Sequence, residues 1–240
     1  MFAAQLLRDT TMGRGEALHA LRHLPLSTRK GLVSFDYETR RRAEGRFFEA
    51  AIYELLRKAG EDNPRIQYIA AFGADAPVYN GQKQGIWYSR DGGIRICSGG
   101  RVRAEIDLLF ADTFGTIYFA ESTIVHPSPS AFIREVREKT ALLTDLADGR
   151  PVEFLYISTT PPPPDLYPLF VNPGSWIVLP DLLLYIRELE QVVGSPRKRR
   201  ALPHQKVVHG QVILDMEPVG ALKPEKRDGL SSYIQRFFLK

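Results

Sequence analysis

The sequence predicts an α/β fold in which helices flank a mixed central β-sheet, with a small C-terminal appendage after it. An amphipathic helical pattern comes first, and a series of strand patterns that includes a tight hairpin follows it. A strand–helix–strand unit comes next, and such a unit normally joins two parallel strands. Because the hairpin adds antiparallel pairing, we expect the sheet to be mixed.

Composition limits the class of protein. The chain has 240 residues, 44% of them hydrophobic, and a formal net charge of +4. This size suits one large domain, and the charge is consistent with an anionic partner. No apolar run is long enough to span a membrane and residues 1–14 lack a signal-peptide segment, so a cytoplasmic protein is expected. Cys97 is the single cysteine, which excludes an internal disulfide and a cysteine-based zinc cluster.

Three regions differ in their patterning. Residues 1–38 are expected to form an N-terminal extension, and residues 39–193 have the helix and strand patterns of the core. Residues 194–240 are expected to form a basic appendage, because they contain the basic run 197–200 and no acidic residue from position 195 through 211. Such a run is typical of a segment that contacts an anionic partner.

The core begins with the clearest helical pattern in the chain. Phe48, Ile52 and Leu55 recur at helical spacing and predict a helix over residues 39–58, which Gly60 is expected to end. Two later helices are expected over residues 131–147 and 181–193. The expected strands cover residues 66–72, 86–97 (an extra hairpin that turns at 91–93), 103–110, 117–123, 152–157 and 176–180.

Two carboxylates fall on the strands of the central hairpin. Asp107 lies in the apolar run 103–110, and Glu121 lies near the end of strand 117–123. Side chains alternate along a strand, so Glu121 shares a face with Thr123, and Asp107 would join them if it points the same way. Buried carboxylates that lie close together repel unless a cation compensates them. A divalent metal site is therefore the leading hypothesis.

Simpler structural roles for the acidic residues remain open. Asp107 would face solvent if it lay on an edge strand, and Glu121 would be an ordinary ion-pair partner if an arginine lay beside it. Glu49, on the first helix, would be a solvated side chain. In that case the protein would be an α/β protein of another kind, in which the acids are incidental.

Three segments resemble the PD-(D/E)xK nuclease superfamily, which has the restriction-endonuclease-like fold. Residues 45–49 (GRFFE) are similar to the G-x-x-x-E helix of archaeal Holliday junction resolvases and of Mrr-like nucleases. Residues 105–109 resemble the family's strand in which an aspartate is flanked by apolar residues. Glu121, Ser122 and Thr123 occupy the position of its Glu-x-Lys motif, with threonine in place of the lysine.

The resemblance implies a metal-dependent endonuclease that hydrolyses DNA. It implies Mg²⁺ or Mn²⁺ held by Asp107, Glu121, the carbonyl of Ser122 and Glu49, directly or through water. The implied catalytic residues are Glu49, Asp107, Glu121, Thr123 and Lys139. The alternative is a catalytically inactive nuclease-fold protein that binds nucleic acid or a protein partner in a larger complex.

The missing motif lysine needs a replacement, since threonine carries no charge. Some members of the superfamily recruit the lysine from the following helix, and Lys139 is the preferred candidate here. Arg134 lies nearer the start of that helix, but an arginine stays charged and is a poor proton acceptor.

Basic and aromatic residues suggest partner contacts. Trp87 is expected to pack in the core, with a stacking surface as the alternative, and the five histidines show no metal-ligand spacing. The terminal apolar pattern over 233–239 is a candidate homodimer interface. The candidate nucleic-acid contacts are Arg40, Arg41, Arg42, Arg46, Arg134, Arg197, Lys198, Arg199 and Arg200.

Overall fold

The computed structural model describes residues 2–77, 84–170, 176–189 and 207–208. In these residues the chain is a mixed α/β protein with a six-stranded mixed sheet, helices against both of its faces and a separate three-stranded sheet. The predicted architecture of a mixed central sheet flanked by helices is confirmed.

Three helices fill the N-terminal region: α1 (Phe2–Asp9), α2 (Arg14–His23) and α3 (Leu26–Gly31). Their apolar side chains, among them Leu7 and Leu21, lie in the same buried cluster as those of the next helix. Residues 1–38 were expected to be an extension. Their helices pack against the core, because short amphipathic helices bury their apolar faces only against other elements.

Helix α4 (Tyr37–Asp62) is longer than the predicted helix at both ends. Asp36 begins it by accepting a hydrogen bond of 2.7 Å from the Thr39 backbone, as an N-cap residue does. Gly60 does not end it. A Cβ at that position would lie 3.0 Å from Ile69 Cδ1, so the glycine lets the helix pass close to the sheet.

The sheet strands in chain order are β1 (Ile66–Ala70), β2 (Gly85–Tyr88), β3 (Ile94–Ser98), β4 (Arg101–Ile106), β5 (Leu108–Asp112), β6 (Ile117–Thr123), β7 (Val152–Ser158), β8 (Trp176–Val178) and β9 (Val207–Val208). The large sheet has the order β8-β7-β6-β5-β1-β9. Strand β5 is antiparallel to both of its neighbours, whereas β6, β7 and β8 are mutually parallel. Strand β9 pairs in parallel with β1.

Helix α5 (Pro129–Leu146) connects the parallel strands β6 and β7. Its buried side chains, which include Val136 and Leu143, pack on the face of the sheet opposite α4. Both helix and strand β7 lie within two residues of the predicted bounds. The predicted helix 181–193 is instead a 3₁₀ turn (Pro180–Leu184) followed by a short helix, α6 (Tyr185–Leu189), and positions 190–193 lie outside the described residues.

The predicted strand 103–110 is two strands that meet at Asp107. Strand β4 pairs with β3 in the small sheet, whereas β5 pairs with β1 and β6 in the large sheet. The apolar pattern predicted one strand because both halves are extended and partly buried. The break matters for the site, since it sets Asp107 at the junction of the two sheets.

The predicted extra hairpin is confirmed as β2 and β3, and β4 adds a third strand to it. Its turn is held against a second turn at Gly73, whose backbone N–H donates to the Gly92 carbonyl at 3.1 Å. Gly92 has φ of +84°, and a Cβ there would overlap the Gly73 carbonyl oxygen. Only glycine adopts this positive φ without steric cost and also lacks the Cβ that would displace the Gly73 turn.

Of the predicted C-terminal appendage, the structure describes Val207–Val208, which extends the sheet beside β1. The basic run 197–200 and the candidate interface 233–239 lie outside the described residues. Among the helices that the structure describes, none is long and apolar enough to cross a membrane.

Candidate metal and catalytic site

Asp107 and Glu121 lie side by side at the end of the central hairpin. The last registered pair of β5 and β6 is Leu108 with Ala120, so the next position on each strand is Asp107 and Glu121. The Ser122 backbone N–H and hydroxyl donate to Asp107 Oδ2 at 2.8 and 3.0 Å. Because Ser122 on the neighbouring strand β6 donates both hydrogen bonds, Asp107 faces β6 and is not the solvent-facing residue of an edge strand.

Glu121 is buried and half of its carboxylate is unsatisfied. Its Oε2 accepts a hydrogen bond of 2.7 Å from Lys139 Nζ. Its Oε1 is buried and has no hydrogen-bond partner within the described part of the chain. Burial and the charge of Asp107 raise the pKa of Glu121 well above its usual value, against the opposing effect of Lys139. A buried oxygen of this kind is costly unless a further partner binds it.

Lys139 reaches the site from α5 and bridges two acids. Its Nζ lies 2.7 Å from Glu121 Oε2 and 2.7 Å from Glu135 Oε1. Burial acts to lower the pKa of Lys139, but the two carboxylates outweigh it and the pKa is raised. The ammonium group is therefore charged at neutral pH. The structure brings Lys139 to Glu121, whereas Arg134 is exposed on the same helix.

Glu49 approaches the same place from α4, on the other face of the sheet. Arg46 Nη1 donates to Glu49 Oε2 at 2.7 Å, and the Glu49 side chain is 15% exposed. Burial and the charge of Asp107 raise the pKa of Glu49 to about 8, with a smaller effect from Glu105. Glu49 is thus within electrostatic range of Asp107 and is not a solvated helix-face residue.

Thr123 has a local role in the turn after β6. Its Oγ1 accepts from the Val125 backbone N–H at 3.1 Å and donates to the Val125 carbonyl. Threonine commonly stabilises turns in this way. The hydroxyl is therefore engaged in a turn, and the structure does not show it contacting Asp107 or Glu121.

The candidate phosphate-binding arginines at the start of α4 pair with acids of their own helix. Arg40 and Arg41 contact Glu44 at 3.8 and 2.9 Å, and Arg42 contacts Glu38 at 3.8 Å. Arg41 also donates to the Ile124 carbonyl at 3.3 Å, which links this helix start to the chain just after β6. Each of these arginines is thus already ion-paired within its own helix, and the contact of Arg41 with Ile124 brings that side chain towards the end of β6.

Sequence reasoning missed Glu135, which bridges to Lys139. The signal was available, because Glu135 precedes Lys139 by four residues and such pairs meet on one face of a helix. Its effect at the site is to hold the ammonium group together with Glu121, since both carboxylates lie 2.7 Å from it.

A second buried cluster was also missed. His23, Glu54 and Asp75 offer ligand atoms within 4.8 Å of one another, and His23 Nε2 lies 2.7 Å from Glu54 Oε1. The expectation that the histidines show no metal-ligand spacing overlooked His19 and His23, which lie four residues apart on α2 and both approach Glu54. Arg22 pairs with Asp75 and lies 3.9 Å from Glu54. A protein cation already compensates these acids, so the cluster is an ion-pair network that joins α2, α4 and the Gly73 turn.

The donor set at Asp107 and Glu121 fits a hard divalent cation. Carboxylate oxygens and backbone carbonyls are the ligands that Mg²⁺ and Mn²⁺ prefer. Glu121 Oε1 is a buried oxygen without a partner in the described residues, and burial, which penalises the charged form, is the main cause of the raised pKa values of Glu49, Asp107 and Glu121. The first two acids of the predicted metal set are adjacent in the hairpin register. Among the described residues, however, the three acidic or histidine side chains whose ligand atoms all lie within 4.8 Å are His23, Glu54 and Asp75, so Glu49 does not complete such a group with Asp107 and Glu121.

Comparisons with known proteins identify no family for this chain. No family model matches the chain, and no curated protein matches it. Among solved structures, the crystal structure of protein VC1899 from Vibrio cholerae is similar, with a TM-score of 0.36 and 16% sequence identity over 65% of this chain. The chain spans about a third of that protein's length, since the match covers 36% of it. Similarity at this level supports no inference about fold or function.

Proposed function

We propose that this protein is a metal-dependent endonuclease of the restriction-endonuclease-like fold that hydrolyses phosphodiester bonds of DNA. One observation carries the proposal: Asp107 and Glu121 are adjacent at the hairpin end, and the buried ammonium group of Lys139 lies 2.7 Å from Glu121. Two acids and one cation at the end of a hairpin are the groups that the Asp…Glu-x-Lys resemblance implies.

The order and pairing of the elements support the proposed fold. Helix α4 precedes three antiparallel strands, β1, β5 and β6, and helix α5 then leads to the parallel strand β7. This is the element order on which the resemblance rests. The acids lie where β6 ends and where both flanking helices approach the sheet.

The metal would be held by Asp107, Glu121 and the Ser122 carbonyl, with Glu49 as a direct or water-mediated ligand. A divalent cation bound there would make a water molecule nucleophilic and offset negative charge on the phosphate. Glu121 Oε1 supports this arrangement, because it is a buried acceptor with no protein donor in the described residues. The Ser122 hydroxyl and N–H would keep Asp107 oriented.

Lys139 would stabilise charge during the reaction. The raised pKa means that the amine keeps its proton, so it acts as a donor to a phosphate oxygen or to the attacking water, and not as the proton acceptor. Glu135 would hold it in place. Thr123 would contribute through the turn that its hydroxyl stabilises, and not through charge.

The second candidate function is that of an inactive nuclease-fold protein that binds nucleic acid or a protein partner. Two observations favour it: threonine stands in the motif position, and Lys139 is already bridged between Glu121 and Glu135. In such a protein the ion pairs would be structural, and the binding surface alone would be functional.

A cleavage assay separates the two candidates. Plasmid, branched and single-stranded DNA are incubated with Mg²⁺ or Mn²⁺ and with wild-type protein, Asp107→Asn or Asp145→Asn. Asp145 is exposed near the end of α5, so its variant carries the same chemical change away from the site. An endonuclease loses metal-dependent cutting only in Asp107→Asn. Absence of cutting by the wild type on every substrate, with DNA binding retained, contradicts the endonuclease and favours the binding protein.

A further inference from the structure

The three-stranded sheet is anchored in the core by one of its faces. Ile86, Tyr88, Ile94 and Ile96 alternate along β2 and β3 and are buried. Trp87 was expected to pack in the core, but strand alternation places it on the opposite face, where it is partly exposed. The buried face holds both strands against the core and thereby fixes the turn that joins them.

The turn between β2 and β3 is closed by hydrogen bonds of its own. The Ser89 backbone N–H donates to the Gly93 carbonyl at 2.7 Å, and the Gly92 N–H donates to the Ser89 carbonyl at 3.0 Å. The Ser89 hydroxyl accepts from the Gly93 N–H at 2.8 Å and donates to the Asp91 carboxylate. The turn therefore orients the acid that it carries.

Asp91 faces Arg46 of helix α4. Arg46 Nη2 lies 3.7 Å from Asp91 Oδ2, and Arg46 Nη1 donates to Glu49 Oε2 at 2.7 Å. Two nitrogens of one guanidinium group therefore meet two different acids, one in the hairpin turn and one at the candidate metal site. Because the guanidinium group is planar and rigid, each contact restricts the geometry of the other.

The three acids of the site share a pattern of hydrogen bonding. One oxygen of each is held by a protein donor: Asp107 Oδ2 by Ser122, Glu121 Oε2 by Lys139 and Glu49 Oε2 by Arg46. The second oxygen of each has no hydrogen-bond donor among the residues that the structure describes. Arg46 thus holds one oxygen of Glu49 and leaves the other open to a further partner.

The position of Glu49 suits a role through a bound water molecule. Within the described residues it does not form a 4.8 Å ligand group with Asp107 and Glu121, so the geometry does not favour direct ligation of one metal ion by all three acids. A carboxylate that accepts a hydrogen bond from a metal-bound water lies further out, and groups that orient such outer partners affect metal affinity strongly. The Arg46 side chain is half exposed, so it can be replaced without opening the core.

From this geometry we infer that Arg46 is a positioning residue of the metal site. It holds Glu49 beside Asp107, and Asp91 in the hairpin turn holds Arg46 in place. The small sheet therefore supports the site at two points, through β4, which leads into Asp107, and through the turn that carries Asp91. This inference rests on the proposed endonuclease function and deepens it, because Arg46 acts on the site through another residue.

Mn²⁺ binding by titration calorimetry tests the role of Arg46. Arg46→Met keeps an unbranched side chain and removes the guanidinium group, so Glu49 loses its donor. We expect Mn²⁺ affinity to fall by about tenfold or more, the usual effect of removing a group that orients a ligand. Loss of the positive charge alone acts in the opposite direction, because it removes repulsion between two cations. An unchanged or higher affinity in Arg46→Met overturns the inference.

A double-mutant cycle shows whether Arg46 acts through Glu49. Arg46→Met should lower the affinity of the wild type but not that of Glu49→Gln, since the group that it orients is already lost there. Arg46→Lys keeps a charged donor for the single hydrogen bond and should restore most of the affinity. Equal falls in both backgrounds, or no restoration by lysine, rule out positioning through Glu49.

Asp91→Asn tests the contribution of the hairpin turn. It should lower Mn²⁺ affinity in the wild type and leave that of Arg46→Met unchanged, because Asp91 acts through Arg46. The control Arg42→Met removes an arginine one turn earlier on α4, whose contact is with Glu38 at 3.8 Å, and should bind Mn²⁺ as the wild type does. Equal falls caused by Asp91→Asn in both backgrounds contradict the role of the turn.

The inference and the proposed function fail separately. If Mn²⁺ affinity depends on Arg46 but no DNA is cleaved, the positioning role stands and the endonuclease is wrong. If cleavage depends on Asp107 but Mn²⁺ affinity does not depend on Arg46, the positioning role is wrong and the endonuclease stands. Absence of Mn²⁺ binding to the wild type overturns both.

Discussion

Lys139 approaches Glu121 from helix α5, although the motif resemblance would put a lysine on strand β6 at position 123. The helix packs back over the sheet, so its buried face brings Lys139 above Glu121. A charged group delivered from a neighbouring element can serve the same electrostatic purpose, because the field at the phosphate depends on position and not on chain order.

Replacing Lys139 by methionine tests this role. The variant keeps the apolar stem and removes the charge, so we expect single-turnover cleavage to slow by about 100-fold or more, the usual effect of losing one charge-stabilising donor. Arg137→Met changes an exposed cation on the same helix and should cleave at the wild-type rate. Equal rates in both variants would show that Lys139 does not act on the reaction.

Sequence patterns predicted the positions of some of these residues and not of others, and the reasons are physical. Strand alternation and hairpin pairing were sufficient to predict that Asp107 and Glu121 meet. Alternation fixes which residues share a face but not which face is buried, so Trp87 was wrongly expected in the core. The hydrogen bonds between the Thr123 hydroxyl and the Val125 backbone depend on the backbone conformation over 123–125. The residue types alone do not determine that conformation.

At the scale of elements, the segment that was predicted to be one strand is divided at Asp107 into two strands, one in each sheet. Strand β4 belongs to the small sheet and β5 to the large sheet, so the orientation of the small sheet positions the chain that leads into the site. The contact between the Gly92 and Gly73 turns fixes that orientation from the other end. The apolar pattern across both halves could not reveal the break, because extended chain on either side of it looks continuous.

Alanine at Gly92 tests the turn contact. Both Gly92 and Gly99 have positive φ, but a Cβ at Gly99 meets nothing within 4 Å. Gly99→Ala should therefore cost about 1 kcal/mol from backbone strain alone, and Gly92→Ala about 1–3 kcal/mol more because it displaces the Gly73 turn. Urea unfolding of both variants measures the difference, and equal losses would mean that the turns do not pack as described.

At the scale of the whole molecule, the N-terminal helices are part of the core that supports α4 and its Glu49. These helices show little periodicity in sequence because each is short, and packing against α4 decides their structure. The central sheet was predictable because its strands and connecting helix are long and regular. Side-chain contacts between elements far apart in sequence, such as the Arg22 network, were not predictable from local patterns.

Two leucines of this region should respond differently to truncation. Leu21 is fully buried whereas Leu26 is 45% exposed. Leu21→Ala should cost about 2–4 kcal/mol of unfolding free energy, as truncation in a packed core does, and Leu26→Ala less than about 1 kcal/mol. Chemical denaturation gives both values. A small loss for Leu21→Ala would mean that the helices of residues 1–38 do not pack into the core as described.

The raised pKa of Glu49 predicts how the metal-free protein responds to pH. A carboxyl group with a higher pKa in the folded state stabilises the fold fully below its unfolded pKa, and this stability is lost as pH rises through the folded pKa, about 8 here. Unfolding free energy in EDTA should therefore fall between about pH 6.5 and 8, by roughly 1–2 kcal/mol at 1.36 kcal/mol per pKa unit. Burial lowers the pKa of His23, whose effect of the opposite sign lies below this window.

Glu49→Gln serves as the test variant for this pH effect, because an amide of the same shape does not titrate. Its stability should change less between pH 6.5 and 8 than that of the wild type, measured by denaturation in EDTA at each pH. An identical pH dependence in both proteins would contradict the titration assigned to Glu49.

The most direct measurement is Mn²⁺ binding by titration calorimetry, which asks whether Asp107 and Glu121 form one metal site. We expect Mn²⁺ to bind the wild type and Asp145→Asn with the same affinity. Affinity should fall at least about tenfold in both Asp107→Asn and Glu121→Gln, each of which removes one ligand charge. Equal Mn²⁺ affinity in all four proteins, or no binding to any of them, would contradict the metal site and with it the proposed endonuclease.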